Sequence, residues 1–359
     1  MIYDYIIVGS GLAGICFAET AIQNNKTVLV LNDDSQNSSR VAAGLYNPII
    51  LKRFTEVWQS KQQLELLYKF YGHLAQKLGV QLDFKIPLLR KYFSVEEQNN
   101  WFAASDKPNL TDYLSTNLVS KKWPFIDAPF GFGEVLHTGY VDTDVLITSY
   151  TDYLSNIDSY VNITFNYDEI SIKENWIEYG GYKARHIVFA EGYGMLSNPF
   201  FNALPLDGAK GELLLIKAPE LKLEVAIKTS IFILPVGNDL YKVGATYNWT
   251  DKTNTPTQEG KEELLTELKE LIQCDFEVIE HYAGIRPTVK DRKPMLGSHP
   301  IHKNLHLLNG MGTRGVMLAP SMAKMLFEHI EYGTELDAQV NIQRFKNAFS
   351  MLCQSEQKY

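Results

Sequence analysis

A chain of 359 residues with 45% hydrophobic side chains has enough apolar material for one large or two ordinary globular domains. Acidic residues outnumber basic ones by 42 to 34, giving a formal charge of -8, and no long basic cluster interrupts this balance. We therefore do not expect nucleic acid as a ligand.

The cysteines, the histidines and the hydropathy pattern argue against several further classes of protein. Cys16, Cys274 and Cys353 are far apart and lack C-x-x-C spacing, so neither a disulfide framework nor a thiolate zinc site is expected. The eight histidines are scattered, and we expect no metal. The N-terminus lacks a signal-peptide pattern, and no window approaches about 18 uninterrupted apolar residues, which predicts a cytoplasmic protein without a membrane span.

The first predicted elements form a β-α-β unit. Ile2 to Val8 is an apolar run typical of a strand buried on both faces, Leu12 to Asn24 predicts a helix, and Thr27 to Leu31 predicts a second strand. Apolar residues then recur at helical spacing from Leu64 to Leu78, and an extended stretch follows from Leu82 to Phe93.

The middle of the chain predicts short strands and one amphipathic helix, between Leu264 and Ile272. The strand candidates are Leu213 to Ile216, Ile231 to Leu234, and Leu240 to Val243. This pattern favours a mixed sheet capped by helices.

The C-terminal part begins with a predicted buried strand, Leu305 to Leu308. A glycine-rich turn, Gly310 to Gly315, leads from it into a predicted helix around Pro320 to Ile330.

Residues 9–14, Gly-Ser-Gly-Leu-Ala-Gly, form a G-x-G-x-x-G motif between the first strand and the first helix. Gly9 permits the tight turn, Gly11 lets a pyrophosphate approach the backbone, and Gly14 allows the helix to pack closely on the strand. The helix N-terminus adds free N–H groups and a positive dipole end. The motif predicts a dinucleotide, NAD or FAD, with an ordinary strand-to-helix turn as the alternative.

The acid expected about 20 residues after the motif is replaced by Asn32, at the end of the second strand, followed by Asp33. Asn32 can still hydrogen-bond a ribose hydroxyl, so a dinucleotide remains the predicted ligand.

The segment 38–45, Ser-Ser-Arg-Val-Ala-Ala-Gly-Leu, resembles the second FAD-contact segment of the D-amino-acid oxidase superfamily. Further segments similar to that family follow in order: Gly139–Asp142 before a helix, Ile187–Gly192 on a strand ending near the flavin, Gly211–Leu213 and Leu234–Thr246 in the substrate domain, and Gly284–Pro287 followed by Asp291, Pro294 and Gly297. The resemblance covers most of the chain and implies FAD. It is strongest to the glycine oxidases and, through Gly312–Gly315 and Ala319-Pro320, to the oxidase domains of the bifunctional tRNA wobble-uridine modification enzymes.

The resemblance implies an α/β fold. An FAD-binding Rossmann-like domain of the glutathione-reductase type would be interwoven with an α+β substrate domain built on a mixed sheet. The expected FAD-binding domain comprises residues 1–84, 138–208 and 287–359, and the substrate domain comprises 85–137 and 209–286.

The motif and the resemblance together imply a set of FAD-binding residues, from several parts of the chain. They are Gly9, Ser10, Gly11, Leu12, Ala13, Gly14, Asn32, Asp33, Ser38, Ser39, Arg40, Ala43, Gly44, Leu45, Glu169, Ala190, Glu191, Gly192, Gly310, Gly312, Thr313, Arg314, Gly315 and Val316. The helix after Gly315 would point its positive end at the flavin edge that becomes negative on reduction. Glu191 has no assigned role, and a surface carboxylate near the adenosine half of FAD is the simplest interpretation.

Covalent flavin attachment in relatives uses a cysteine in the signature around Arg286 or a histidine just before the Ala-Ala-Gly segment. Here those places hold Gly284 and Val41, so we expect non-covalent, dissociable FAD.

Three substrate-site residues follow from the resemblance. Arg286 corresponds to the family's carboxylate-binding arginine, whose planar fork can hold a carboxylate in two parallel bonds; a pair with a structural acid is the alternative. Arg314 corresponds to a residue near flavin and substrate, although it could instead bond the flavin or close the loop. Phe232 stands where relatives often place a tyrosine above the substrate, with a packed core aromatic as the alternative.

The implied activity is FAD-dependent oxidation of an amino acid or secondary amine. A hydride leaves the carbon bearing nitrogen for flavin N5, the imine hydrolyses, and oxygen or another acceptor reoxidises the flavin. Two alternatives stay open: a tRNA carboxymethylaminomethyl-uridine oxidase, for which the acidic chain offers no obvious basic surface, and a flavin-binding protein without turnover.

Overall fold

The computed structural model describes residues 2–120 and 123–354, except for the side chains of Cys353 and Gln354. Residues 355–359 of the predicted third FAD-domain segment and the Cys353 thiol lie outside this part. The helices are α1 (Leu12–Gln23), α2 (Ser38–Val41), α3 (Ser60–Leu78), α4 (Val95–Ser105), α5 (Thr143–Asn156), α6 (Gln258–Leu271), α7 (Gly315–Tyr332) and α8 (Lys346–Gln354), with 3-10 turns at Tyr167–Glu169, Gly192–Ser197, Gly312–Arg314 and Ile342–Arg344.

In chain order the strands are β1 (Tyr3–Val8), β2 (Val28–Asn32), β3 (Leu45–Tyr46), β4 (Ile49–Ile50), β5 (Thr55–Glu56), β6 (Asp83–Lys85), β7 (Leu88–Lys91), β8 (Leu114–Val119), β9 (Phe132–Val135), β10 (Gly139–Val141), β11 (Tyr160–Asn162), β12 (Ser171–Ile172), β13 (Ile177–Tyr179), β14 (Tyr182–Phe189), β15 (Leu206–Lys217), β16 (Ala226–Lys228), β17 (Phe232–Gly237), β18 (Leu240–Gly244), β19 (Glu277–Val289), β20 (Met295–Ser298) and β21 (Leu305–Asn309). The two longest strands, β15 and β19, lie in the second half of the chain.

The first large sheet contains the predicted β-α-β unit. Its parallel strands run in the order β11-β2-β1-β14-β21, and β13 and β20 add antiparallel to β14 and β21. Tyr5 and Ile7 of β1 belong to one buried cluster with α1 and α7, whereas Ile6 and Val8 belong to a second cluster. Both faces are therefore covered, as a parallel sheet requires. The predicted elements are confirmed to within one residue at each end.

The second large sheet has the order β19-β15-β18-β17-β16-β7-β9-β8, with β16 parallel to β7 and the other pairs antiparallel. This is the predicted mixed sheet, and α6 buries Leu264 and Leu268 in the cluster beneath it. Its strands come from residues 88–135 and 206–289. The domain limits at 208/209 and 286/287 fall inside β15 and β19, and the division into domains stays a prediction.

The extended stretch from Leu82 to Phe93 is not one strand. It forms β6, which pairs with β10 in a small separate sheet, and β7, which pairs with β9 and β16. Pro87 lies between them, where it has no N–H for a ladder bond, while its carbonyl accepts a bond from Ala226 N at 2.9 Å. The chain therefore changes sheets at the proline.

The predicted start of the last long helix is wrong by five residues. The helix α7 begins at Gly315 and contains Pro320 in its interior. Pro320 has no N–H to donate to the carbonyl of Val316, one turn earlier. The hydroxyl of Tyr71, on α3, donates to that carbonyl at 3.0 Å. The buried carbonyl therefore keeps a partner, and the helix tolerates the proline.

Candidate active site

A cavity of about 2430 Å³ is lined by residues from both large sheets and from the glycine-rich segments. Pockets for a single drug-sized ligand measure roughly 300–1,000 Å³. This cavity therefore has room for a large cofactor together with a second molecule.

The glycines of the N-terminal motif bring α1 and β1 close together at one end of the cavity. Gly9 has a φ of +101°, and a Cβ on Gly14 would lie 1.9 Å from the carbonyl oxygen of Gly9. Gly11 is the N-cap of α1 and has no side-chain cap bond. The positive end of the helix thus opens into the cavity with no side chain on its N-cap residue, and this arrangement fits a pyrophosphate.

Two side chains from later segments hold this turn. Ser39 Oγ accepts a hydrogen bond from Leu12 N, and Asn32 Oδ1 accepts one from Ser10 N, both at 3.1 Å. The amide nitrogen of Asn32 donates to Asp34 at 3.2 Å. The sequence predicts that Asn32 binds a ribose, but in the structure its side-chain amide is already hydrogen-bonded to Ser10 and Asp34. It nevertheless lines the cavity together with the neighbouring Asp33.

Most of the predicted FAD-binding residues line this one cavity. They are Gly9, Gly11, Leu12, Ala13, Asn32, Asp33, Ser38, Ser39, Ala43, Gly44, Leu45, Ala190, Glu191, Gly192, Gly310, Gly312, Thr313, Arg314, Gly315 and Val316. Ser10 and Gly14 lie in the motif behind the lining. Arg40 donates to Asp144 at 3.0 Å and Thr148 at 3.1 Å, and exposed Glu169 accepts from Asn166 at 3.0 Å, so the structure does not place these two in the lining.

Glu191 is buried, with 9% of its surface exposed, so the expected surface carboxylate is wrong. Its two oxygens accept hydrogen bonds from Tyr167 and, at 2.8 Å, from Asn198. Burial raises the pKa of Glu191 to about 7 in spite of these bonds. A cavity-lining carboxyl group therefore titrates near neutral pH.

The turn before α7 forms another part of the lining. Gly310 and Gly312 have φ angles of +77° and +57°, which favour glycine. Asn309 fixes the turn because its Oδ1 accepts from Gly310 N and its Nδ2 donates to Gly192 O, both at 2.8 Å. The α7 N-terminus, which has no side-chain cap bond, opens into the cavity and would stabilise negative charge there.

Arg286 lies on β19, opposite Ala209 of β15, and its guanidinium covers Gly211. A Cβ on Gly211 would be 1.9 Å from Arg286 Nη2, so only glycine leaves room for this position. Arg286 Nη1 donates to Thr246 O at 3.1 Å, and the Tyr247 ring centroid lies 4.5 Å from the guanidinium carbon.

The ion pairs within residues 2–120 and 123–354 do not include Arg286, so the alternative of a structural acid partner is not observed. Burial lowers the pKa of Arg286, yet guanidinium stays charged in proteins. A largely desolvated cation in a cavity, bonded among these residues only to carbonyls, has the chemistry to bind an anion.

Arg314 and Phe232 also line the cavity. Arg314 Nη1 donates to Asn47 O at 3.3 Å, and burial lowers the pKa of Arg314 to about 10. Phe232 lies directly opposite Gly244, and its Cζ would be 3.1 Å from a Cβ there. All three predicted substrate-site residues thus meet in one cavity.

Sequence reasoning missed other lining residues, among them Arg90, Lys228, Tyr247 and Trp249. Tyr247 and Trp249 are 58% and 51% exposed, which is unusual for large aromatic side chains. They follow the Leu234–Thr246 segment directly, but they lie beyond the end of β18, where no periodic pattern identifies an inward side chain.

The described residues, 2–120 and 123–354, show neither a metal site nor a membrane-spanning helix. They contain no group of three or more His, Cys, Asp or Glu side chains able to hold a metal ion. None of their helices combines the length and apolar character needed to cross a bilayer.

Comparison with known proteins identifies the family. The DAO family model, described as FAD dependent oxidoreductase, matches residues 4–329. The chain is similar to the glycine oxidase of Bacillus subtilis (strain 168), with 23% identity over 350 residues, 91% of this chain and 93% of that protein. It is 26% identical over 187 residues to the tRNA 5-methylaminomethyl-2-thiouridine biosynthesis bifunctional protein MnmC of Marinobacter nauticus, covering 46% of this chain and 30% of that one.

The crystal structure of glycine oxidase from Geobacillus kaustophilus shares the fold, with a TM-score of 0.76, 19% identity and coverage of 94% of this chain and 96% of that chain. The predicted fold class and the FAD cofactor are therefore confirmed. Because the family model spans most of the sequence, the chain belongs to the DAO family of FAD-dependent oxidoreductases.

Proposed function

We propose that this enzyme oxidises an amino acid or a secondary amine at the carbon bearing the nitrogen. The observation that carries the proposal is Arg286, a cavity cation whose polar partners are backbone carbonyls. A substrate carboxylate supplies the missing counter-charge. The likeness to a glycine oxidase along almost the whole chain supports the same assignment.

FAD would be held without a covalent bond. The residues 9–14 and the N-terminus of α1 would bind its pyrophosphate, Asn32 and Asp33 would face the adenosine half, and residues 310–316 would face the flavin ring. Bound FAD supplies the hydride acceptor, the flavin N5 atom. The proposed division assigns these segments to the FAD-binding domain and residues 85–137 and 209–286 to the substrate domain.

Within this arrangement Arg286 acts by orientation. Two parallel bonds to a carboxylate fix the adjacent Cα–H bond in one direction, and such fixing removes much of the entropic barrier to transfer. Arg286 and Arg314 act on the amine as well. Like charges nearby lower the pKa of a bound ammonium group, so the cavity favours the neutral amine from which a hydride can leave.

The test is anaerobic reduction of the flavin by glycine, sarcosine, proline and D-amino acids, followed by visible absorbance. Arg286→Leu should keep the yellow colour but raise KM for carboxylate substrates by roughly ten- to hundredfold, since a bond to a charged group contributes roughly 1.5–3 kcal/mol. Arg286→Lys is the matched control and should retain part of the affinity because it keeps the charge but loses the fork. An unchanged KM in Arg286→Leu would remove the assigned role.

A second candidate, oxidation of a modified uridine in tRNA, draws support from the partial likeness to the bifunctional tRNA enzyme and from exposed Tyr247 and Trp249 at the cavity. Aromatic side chains of this kind can stack on bases. Salt-dependent binding of tRNA, weakened by Trp249→Ala, would favour it. If no amine and no tRNA bleaches the flavin, a flavin-binding protein without turnover is the remaining function.

A further inference from the structure

The cavity carries more unpaired positive charge than one carboxylate requires. Arg286, Arg314 and Lys228 all line it, and each donates to backbone carbonyls. None of the three takes part in an ion pair of the described residues. In the proposed reaction the amine is neutral, the carboxylate faces Arg286, and Arg314 lies near the flavin. The proposed reaction therefore assigns no role to the charge of Lys228.

Lys228 lies in one row of side chains that crosses four strands. It is directly opposite Phe232, which is opposite Gly244, which is opposite Leu213. Residues that face each other across strands point to the same side of a sheet. Lys228 and Phe232 therefore share the sheet face that opens into the cavity.

The same row fixes the separation of Lys228 from the proposed carboxylate site. The guanidinium of Arg286 covers Gly211, two residues before Leu213 on β15. Three strand spacings and two residue rises place Gly211 and Lys228 about 16 Å apart along the sheet. The Nζ of Lys228 is held at the carbonyl of Ser230, so a ligand reaching both cations needs an arm of several bonds.

Neighbouring charges do not neutralise Lys228. Arg90, beside it on β7, pairs with Glu97 through Nη2 at 2.7 Å, and Ser230 donates to Glu267. The Nζ of Lys228 donates to the carbonyl of Ser230 at 2.6 Å. Burial, and then Arg90, lower the pKa of Lys228 to about 8, although the nearby carboxylate of Glu267 acts in the opposite direction. A ligand carboxylate beside Nζ would stabilise the charged form of Lys228.

We propose that Lys228 binds a second anionic group of the substrate, so that the enzyme acts on an amine with two acidic ends. One carboxylate lies on Arg286, and the other is carried past Phe232 to Lys228. The apolar Phe232 ring suits the methylene arm between the two acids. The inference rests on the proposed function, because it takes Arg286 as the site of the first carboxylate.

The experiment titrates the holoenzyme with unreactive acids, and Kd is read from the change in the visible flavin spectrum. Dicarboxylates from succinate to pimelate are compared with monocarboxylates of the same chain length. We expect the longest dicarboxylates to bind at least tenfold more tightly than their monocarboxylate counterparts. Lys228→Met should abolish this difference and leave the Kd of acetate within twofold.

Lys324→Met is the matched control. It removes the same charge from an exposed position on α7, where Lys324 pairs with Glu328 outside the cavity lining. An equal loss in both variants, or an equal loss for mono- and dicarboxylates in Lys228→Met, would overturn the proposal.

A second measurement uses reactive amines. Anaerobic reduction by both enantiomers of 2-aminoadipate and 2-aminopimelate is compared with that by alanine. Lys228→Met should raise KM for the acidic substrates at least tenfold and leave KM for alanine unchanged. Equal KM values for acidic and neutral amines in the wild type would refute the second anion site while leaving amine oxidation intact. Absence of reduction by every amine would refute the proposed function, and the titration would still decide the anion site.

Discussion

The two ends of the cavity are built in opposite ways. At the cofactor end, Gly9, Gly11 and Gly14 remove side chains, and the lining there is largely backbone and a helix terminus. At the substrate end, Arg286 projects from the long strand β19 and Lys228 from the short strand β16, and neither charge forms an ion pair with an acidic side chain among the described residues. The cofactor end can bind a pyrophosphate because missing side chains expose the backbone N–H groups. The substrate end can orient a substrate because these two positive charges have no ion-pair partner in the described part of the chain.

Gly14→Ala changes the cofactor end, and we expect it to have the largest effect on FAD binding and stability. The new Cβ would lie 1.9 Å from the carbonyl oxygen of Gly9, and neither backbone can give way cheaply. We expect purified protein with little bound FAD and an unfolding free energy lower by about 3 kcal/mol or more. Visible absorbance and denaturant unfolding measure the two effects.

The matched control is Gly72→Ala, on α3, where a Cβ meets nothing within 4 Å. It should keep FAD and gain up to about 1 kcal/mol from helix propensity. Retention of full FAD by Gly14→Ala would show that cofactor binding does not require the missing side chain at residue 14.

Glu191→Gln tests the buried carboxyl group at the cofactor end. Burial raises the pKa of Glu191 from 4.5 to about 7, so the folded protein holds this proton more tightly than the unfolded chain. Stability should therefore fall as pH rises between these two values, by up to about 3 kcal/mol. The glutamine variant should lose this part of the slope.

Urea unfolding at about pH 5 and about pH 8, with excess FAD, measures the slope. Exposed Glu169→Gln serves as the control and should keep the wild-type dependence. The same pH dependence in wild type and Glu191→Gln would contradict the assignment.

Gly211→Ala changes the substrate end, and its expected effect is the smallest of the three substitutions. The added Cβ would lie 1.9 Å from Arg286 Nη2, the far end of a flexible side chain that can move. We expect bound FAD to be retained and stability to change by less than about 1 kcal/mol, while KM for carboxylate substrates rises about tenfold. Steady-state kinetics beside the flavin spectrum distinguish this result from general damage, and an unchanged KM would mean that Arg286 does not depend on Gly211.

Some elements escaped prediction although a local signal was present. The helix α4 was not predicted, yet Ser94 and Glu97 form the S-x-x-E pattern of a capped helix start. Ser94 Oγ accepts from Glu97 N at 3.1 Å, and Glu97 Oε2 accepts from Phe93 N at 2.9 Å. The start of α7 had no such signal, because the bond that makes Pro320 tolerable comes from Tyr71 on another helix.

The β-α-β unit, the dinucleotide motif and the resemblance to the family could all be predicted from the amino-acid sequence. These features depend on residues within a few positions of each other, where backbone conformation and apolar periodicity act locally. The glycines of residues 9–14 can be recognised for this reason, whereas the expected role of Arg286 came only from the resemblance to the family.

Tertiary structure alone decided which side chains face one another. Arg286 covers Gly211 because β15 and β19, some 70 residues apart along the chain, pair in one particular register. The same applies to the burial of Glu191 against Tyr167 and Asn198, and to the position of Lys228 beyond Phe232. Burial and cross-strand neighbours depend on pairing between distant segments, and no local pattern in either segment records it.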